Sequence, residues 1–293
     1  YLTLAHGNPY GKLLKYSTQT NEVIDETTLG LFPASMQISK VTGFLYCVNF
    51  NLHGNMKPST VSVVDAETMT EITQIKTGSM PHGSRVSNDG LKQYSVAMMS
   101  GELFEIDALS LNVSRKLSLD NHSKMDHSKM DHSKMDHDKI NISKMVHSEV
   151  KPTWVIPHPK ENFLYIAGNG SDEIIEVDID KWKISKRIKA EKGPYNVEIS
   201  PDGKYMLATL KSSGYTAIWN LKNGSLINKI KNSTSVPHGI AISADSKFAF
   251  VSVEGIGGEP GIVDVIDLNK KTLIDNVKIG KQAGGIAFWK KEP

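Results

Sequence analysis

With 293 residues, 34 basic and 32 acidic side chains and a net charge of +2, the chain can bury a large core but carries no global field suited to nucleic acid or an anionic membrane. No apolar run approaches the ~20 residues of a membrane span, and a single cysteine, Cys47, excludes an intramolecular disulfide and a cysteine-based metal site. The chain starts at Tyr1 without an initiator Met, which suits a processed mature chain or a trimmed one, so the N-terminus does not itself give the compartment.

One pattern recurs in chain order: an alternating strand that closes on Asp or Asn, a short polar turn, and a second strand. A weak copy, LLKYSTQTNEVIDET, starts at Leu13. Stronger copies follow: VSVVDAETMTEITQI from Val61, LFEIDALSLNVSRKL from Leu103, IIEVDIDKWKISKRI from Ile174, TAIWNLKNGSLINKI from Thr216 and VDVIDLNKKTLIDNV from Val263. Alternation over five or six residues marks a half-buried strand, and the closing Asp or Asn can bond its own backbone two residues on and start a hairpin. The turn positions Ser17, Asp65, Asp107, Asp178, Asn220 and Asp267 are separated by 48, 42, 71, 42 and 47 residues. The long gap exceeds a 42-residue repeat by 29, and the residues after Asp267 together with those up to and including Ser17 make one more repeat of 43.

Two further strand signals precede each hairpin. The innermost follows Pro or a small residue: FPASMQIS from Phe32, MPHGSRVS from Met80, KPTWVIPH from Lys151, GPYNVEIS from Gly193, VPHGIAIS from Val236 and QAGGIAFW from Gln282. Turns such as SNDG, SPDGK and SADSK lead into the next strand. Units of this length with four strands are propeller blades. The expectation is a single all-β domain over 1–293, a six-bladed β-propeller of four-stranded antiparallel blades, with seven blades as the alternative. The strand near Ile286 should pair beside the one near Leu2 and close the ring. With SPDGK and the V-x-D hairpins in hand, the chain resembles the bacterial YVTN-type β-propeller repeat proteins, a resemblance specific for fold and poor for function.

Residues 121–150 stand outside the repeat. From Asn121 they read NHSKMDHSKMDHSKMDHDKINISKMVH, with three near-identical copies of HSKMD, and they hold His122, His127, His132, His137, His147, Met125, Met130, Met135 and Met145. Those are five of the ten histidines and four of the eleven methionines. The segment joins one blade to the innermost strand of the next, on the face that also carries the loops between second and third strands. His82 and His238, both in P-H-G, are expected at the mouth of the central channel on that face. The equivalent channel positions are read as Ala34, His82, Thr153, Tyr195, His238 and Ala283, so the two histidines should oppose each other. His6 and His53, both in H-G-N, and Met56 and Met80 fall nearby; only His158 falls on the opposite face. Bland readings compete: a lone loop histidine is usually just solvated, a channel histidine can simply bind water, and the insertion can be a polar spacer.

Thioether sulfur is soft and selects Cu(I), imidazole serves both copper oxidation states, and Met is a sensible soft ligand where thiols would be oxidised. Nickel and zinc remain open through histidine but leave the methionines unexplained. A five-residue period drifts about 140° per unit on a helix, so a loop that wraps the metal fits better. Too polar for a core of its own, the segment is expected to become ordered on binding Cu(I). The D-H-S-K-M unit resembles the Met/His-rich segments of bacterial copper-resistance proteins, including periplasmic multicopper oxidases and outer-membrane copper-resistance factors. That resemblance covers about residues 120–147 and implies copper handling in the periplasm or outside the cell. With no H-x-H pairs and no cysteine ligand for a blue-copper centre, oxidase activity is not carried over.

The sequence therefore points to a periplasmic or extracellular copper-binding propeller, with Cu(I) and Cu(II) as its metals. Its ligand set is the nine insertion residues together with His82, His238, His53, His6 and Met56. Copper ions are the expected partner, with another periplasmic copper protein as a candidate and a monomer as the expected state. The alternatives are a metal-dependent lactonase-like hydrolase using Tyr195, Asn196 and Glu198 at the channel, and a protein-binding scaffold presenting Trp154, Trp219 and Tyr215.

Overall fold

The computed structural model describes residues 1–120 and 147–290. It is all-β among those residues: six antiparallel sheets follow one another along the chain. The first is three-stranded, β1–β3 (Leu2–Leu4, Lys12–Tyr16, Val23–Thr28). Five four-stranded sheets follow. They are β4–β7 (Pro33–Ile38, Phe44–Asn49, Pro58–Asp65, Thr70–Ser79), β8–β11 (Pro81–Val86, Lys92–Ala97, Glu102–Asp107, Asn112–Ser118) and β12–β15 (Pro152–Pro157, Phe163–Gly168, Glu173–Asp178, Lys183–Lys189). The last two are β16–β19 (Pro194–Ile199, Tyr205–Leu210, Tyr215–Asn220, Ser225–Lys231) and β20–β23 (Pro237–Ile242, Phe248–Val253, Gly261–Asp267, Thr272–Ile279). The inner strands β4, β8, β12, β16 and β20 pack on one another in that order. Apolar side chains between neighbouring blades form the core, for example Trp154, Tyr165, Met206 and Trp219 between the blades of β12 and β16.

This is a six-bladed propeller, and its hairpins have the cause the sequence suggests. Asp65 Oδ1 accepts from the backbone N–H groups of Glu67 and Thr68 (3.0 and 2.8 Å), and Asp107, Asp267, Asn220, Asp178 and Ser17 play the same part in their own turns. Four residues beyond each, the chain takes a left-handed conformation, at Asn21, Met69, Leu111, Trp182, Gly224 and Lys271. Three residues beyond each left-handed residue the ladder shifts by one, leaving Ile24, Ile72, Ser114, Ser185, Ile227 and Ile274 as the extra residue of a bulge.

A second ring of left-handed residues was not legible in the sequence. Phe32, Met80, Lys151, Gly193, Val236 and Gln282 all have positive φ, and each immediately precedes an innermost segment. This ring corrects the sixth channel position. Gln282 aligns with Val236, so Gly284, not Ala283, is the counterpart of His238. Hydrogen bonds agree: Thr209 Oγ1 donates to the His238 carbonyl at 2.9 Å, and Ser252 Oγ, at the matching place one blade on, donates to the Gly284 carbonyl at 2.5 Å.

Residues after β23 thus take the innermost place of the sixth blade. Phe288 stacks on Phe250 (6.3 Å between centroids), and a Cβ on Gly239 would come within 2.8 Å of the Gly284 carbonyl oxygen. No ladder joins this segment to β1 among the described residues, and the contacts that hold it at Gly284 and Phe288 are with the β20–β23 blade. The consecutive Gly284 and Gly285, which weaken a strand, and the three-residue length of β1 account for the missing ladder.

Candidate metal-binding face

The loops after each second strand and the lead-ins to each first strand do share a face, because the backbone ties them together. Met98 and Met99 N–H donate to the carbonyls of Met80 and Ser79 (2.9 and 3.1 Å). The same pair of bonds joins Phe50 and Asn51 to Phe32 and Leu31, Asn169 and Gly170 to Lys151 and Val150, and Glu254 and Gly255 to Val236 and Ser235.

The insertion leaves and rejoins the propeller on this face at one point. Leu119 is fully buried and Val150 is buried in the same cluster. Between them Asp120 Oδ1 accepts from Ser148 Oγ and from Val150 N–H, both at 3.0 Å, while Ser148 N–H donates to the Met99 carbonyl at 3.1 Å. The propeller therefore holds both feet of the insertion, which adds little more than loop entropy to the fold. Val150 and Ser148 already belong to the blade, so the inserted part is shorter than 121–150. Asp120→Ala is expected to cost about 1–2 kcal/mol, since it orphans a buried backbone N–H; urea unfolding at neutral pH measures it.

His147, exposed, is the one insertion ligand within the described residues. His122, Met125, His127, Met130, His132, Met135, His137 and Met145 lie outside them, as does the expectation that the segment orders on Cu(I).

A chain of aromatic contacts gathers the other histidines. His6 packs edge-on against Phe32 at 4.9 Å, and His53 approaches the same ring at 6.1 Å; both histidines are exposed. Phe32 neighbours Phe50, and Phe50 meets His82 edge-on at 5.1 Å. Met56, half-buried, sits beside them with its carbonyl accepting from Ser79 Oγ.

His82 and His238 do not look at each other across an open mouth. The Tyr195 ring stands with its centroid 5.1 Å from His82 and 4.6 Å from His238. Its hydroxyl lies 2.7 Å from His82 Nε2. Equivalent positions converge on the axis; Ala34 and Gly284 leave room on one side, and the longest side chain of the six occupies it. His238 Nε2 lies 3.3 Å from Glu254 Oε1, which also meets Lys211 Nζ at 3.3 Å, and Lys211 sits 4.1 Å above the Tyr195 ring. Nδ1 of each histidine is buried and makes no well-aligned hydrogen bond, with only the Thr153 backbone near His82 and the Gly284 backbone near His238.

Burial sets the protonation of this cluster. Desolvation holds His82 down at about 4, with Lys211 adding to it and the Thr153 backbone opposing. Desolvation, then Lys211 and His82, hold His238 down at about 3. Burial and the Glu254 charge push the Tyr195 hydroxyl up. Both imidazoles are therefore neutral at pH 7, the form a metal needs.

Most groups favoured by the competing readings are engaged elsewhere. Glu198 pairs with Arg85 at 2.9 Å, and the Arg85 guanidinium stacks 4.4 Å over Trp154. Asn196 is buried, with Oδ1 unpartnered. Trp154 and Trp219 are buried and Tyr215 packs against the same cluster, so all three serve the core. His158 caps its turn: Nδ1 accepts from Lys160 and Glu161 N–H at 3.2 and 2.9 Å. Among the described residues no group of three His, Cys, Asp or Glu side chains is placed to hold a metal, and no helix is long and apolar enough to cross a membrane.

Fold and blade count define the class as a bacterial-type six-bladed β-propeller. The chain belongs to the YNCE-like β-propeller family, whose profile matches residues 34–276. It is similar to Antigen Lp49 of Leptospira interrogans (serogroup Icterohaemorrhagiae, serovar copenhageni), 21% identical over 205 residues, which is 66% of this chain and 40% of that protein. In fold it is similar to the hydrazine synthase of Kuenenia stuttgartiensis, with a TM-score of 0.55 and 21% identity over 68% of this chain and 49% of that one. The chain thus spans under half the length of these proteins, and at such identity the second likeness shows the fold alone.

Proposed function

We propose that this propeller binds copper outside the cytoplasm and captures or sequesters it through the Met/His-rich insertion. The observation that carries the reading is the composition of that segment: three HSKMD copies pair a soft thioether with an imidazole in every five residues, a combination suited to copper in both oxidation states. Its feet are fixed to the face that also bears His6, His53, Met56, His82 and His238. The propeller serves as a rigid carrier, and storage, delivery to a periplasmic copper protein and sensing would all use these parts.

His82 and His238 enter this reading as a second, structured place. They are neutral, but a metal bridging them would have to displace the Tyr195 ring. The lactonase-like and scaffold alternatives draw no support from Glu198, already paired, or from the buried tryptophans. A periplasmic or extracellular location rests on the choice of Met over Cys in the ligand-rich segment.

The test is metal analysis of protein purified without a His-affinity step, beside a variant lacking residues 121–146. Copper co-purifying or binding at several equivalents in the full chain, and falling by most of them in the deletion, is expected. Equal copper in the two proteins, or none in either, sinks the proposal.

A further inference from the structure

Three methionines on the insertion-bearing face have no structural reason to be methionine. Met98 and Met99 directly follow β9, and their backbone bonds to the preceding lead-in are those made in other blades by Phe50 and Asn51, Asn169 and Gly170, and Glu254 and Gly255. Two of those three pairs hold only polar, charged or glycine residues, so the backbone does not ask for a thioether. Met56 occupies a left-handed position (φ 58°) next to another, Asn55, where an unbranched apolar side chain brings no conformational advantage. None of the three is core: each is half-buried, unlike Met80, Met69 and Met206, which are buried.

These residues share one patch. Ser79 gathers them, since its carbonyl accepts from Met99 N–H (3.1 Å) and its hydroxyl donates to the Met56 carbonyl (2.6 Å). His147 arrives at the same patch, because its neighbour Ser148 donates to the Met99 carbonyl at 3.1 Å. Three half-buried methionines and one exposed histidine, supplied by three successive blades, thus have their backbones tied around one serine. Hard and borderline cations are poorly served, because no acidic or cysteine ligand belongs to the set. A monovalent soft cation is the ion that thioethers with one imidazole select.

We infer that Met56, Met98, Met99 and His147 form a Cu(I) site on the propeller itself, separate from the channel-mouth histidines. It rests on the copper reading for its biological metal, and on the shared backbone patch for its placement. Standing where the insertion rejoins the blade, it would give copper gathered by the insertion a fixed place on the rigid body.

The experiment uses Ag(I), a redox-inert stand-in for Cu(I), titrated into the full chain carrying 13C-methyl methionine. Met56, Met98 and Met99 resonances are assigned with single Met→Leu variants, a near volume-conserving change. Their methyl signals are expected to shift with one equivalent of Ag(I), while those of buried Met69 and Met206 stay in place. A second arm measures Cu(I) against a chromogenic chelator in the variant lacking residues 121–146. One equivalent should remain there, weakened at least tenfold by Met98→Leu with Met99→Leu and unaffected by His82→Gln with His238→Gln. Shifts confined to the insertion methionines, with no Cu(I) left after its deletion, overturn this site and leave the copper reading standing. No shift at any methionine overturns both.

Discussion

Replacing Glu198 with Gln is expected to destabilise the protein by about 3 kcal/mol, because it leaves Arg85 charged and unpaired inside the propeller. For a chain of this size that corresponds to a fall in Tm of roughly 5–10 °C. Both side chains are mostly buried, at 14% and 16% exposure, and they come from β8 and β16, inner strands with the whole β12 blade between them. Arg85 also donates to its neighbour's carbonyl, Ser84 O, at 2.9 Å and stacks on Trp154, so its position is fixed and it cannot swing out to water. Burial nevertheless outweighs the attraction of Arg85 and raises the Glu198 carboxyl above its ordinary range. The pair as a whole is therefore no net asset. The double change Arg85→Met with Glu198→Leu should recover most of the loss, as buried pairs replaced by apolar residues of similar volume commonly do. Urea unfolding of the two single variants and the double variant decides the matter: additive losses would mean that the pair is not coupled.

That ion pair shows where sequence reading stops. Strand alternation and the Asp-led turns made the blades legible because both are local: each depends on side chains within a few residues of the backbone they organise. The count of six followed, since the 71-residue gap contains one repeat plus a segment of unrelated composition. The lead-in residues were not legible, because Phe32, Met80, Lys151, Val236 and Gln282 share no side-chain chemistry, only a left-handed backbone imposed by the step from one blade to the next. Without that marker, QAGG was aligned on its small residues and the sixth channel position fell one residue short, at Ala283. Placing His82 and His238 on opposite blades was sound as symmetry, but symmetry says nothing of side-chain length. Tyr195, at another of the six equivalent positions, is long enough to come between them. Arg85 to Glu198 and His82 to Tyr195 both join residues 113 apart in sequence, and no local pattern connects them.

Acidification of the metal-free protein is expected to remove several kcal/mol of stability between pH 6.5 and 4, beginning above the range in which carboxylates titrate in most proteins. His82 and His238 are held at about 4 and about 3 in the folded state, against about 6.5 when unfolded. Below pH 6.5 the unfolded chain takes up protons that the folded chain refuses, so stability falls as pH falls, and continues to fall until the folded pKa values are reached. At pH 4.5 the loss is on the order of 3 kcal/mol from each histidine. Burial sets the sign, and the groups facing the two rings do not reverse it. Lys211 opposes protonation of both, the Tyr195 hydroxyl stays neutral, and Glu254, which would favour a charged His238, is shared with Lys211. Denaturant unfolding of chelator-treated protein at pH 7.5 and pH 4.5 gives the wild-type loss. The His82→Gln, His238→Gln variant will start lower at pH 7.5, having given up the contacts with Tyr195 and Glu254, but it should lose far less on acidification. An equal loss in the variant would place the acid sensitivity elsewhere and leave the two imidazoles able to charge within the fold, which requires water to reach the mouth past Tyr195.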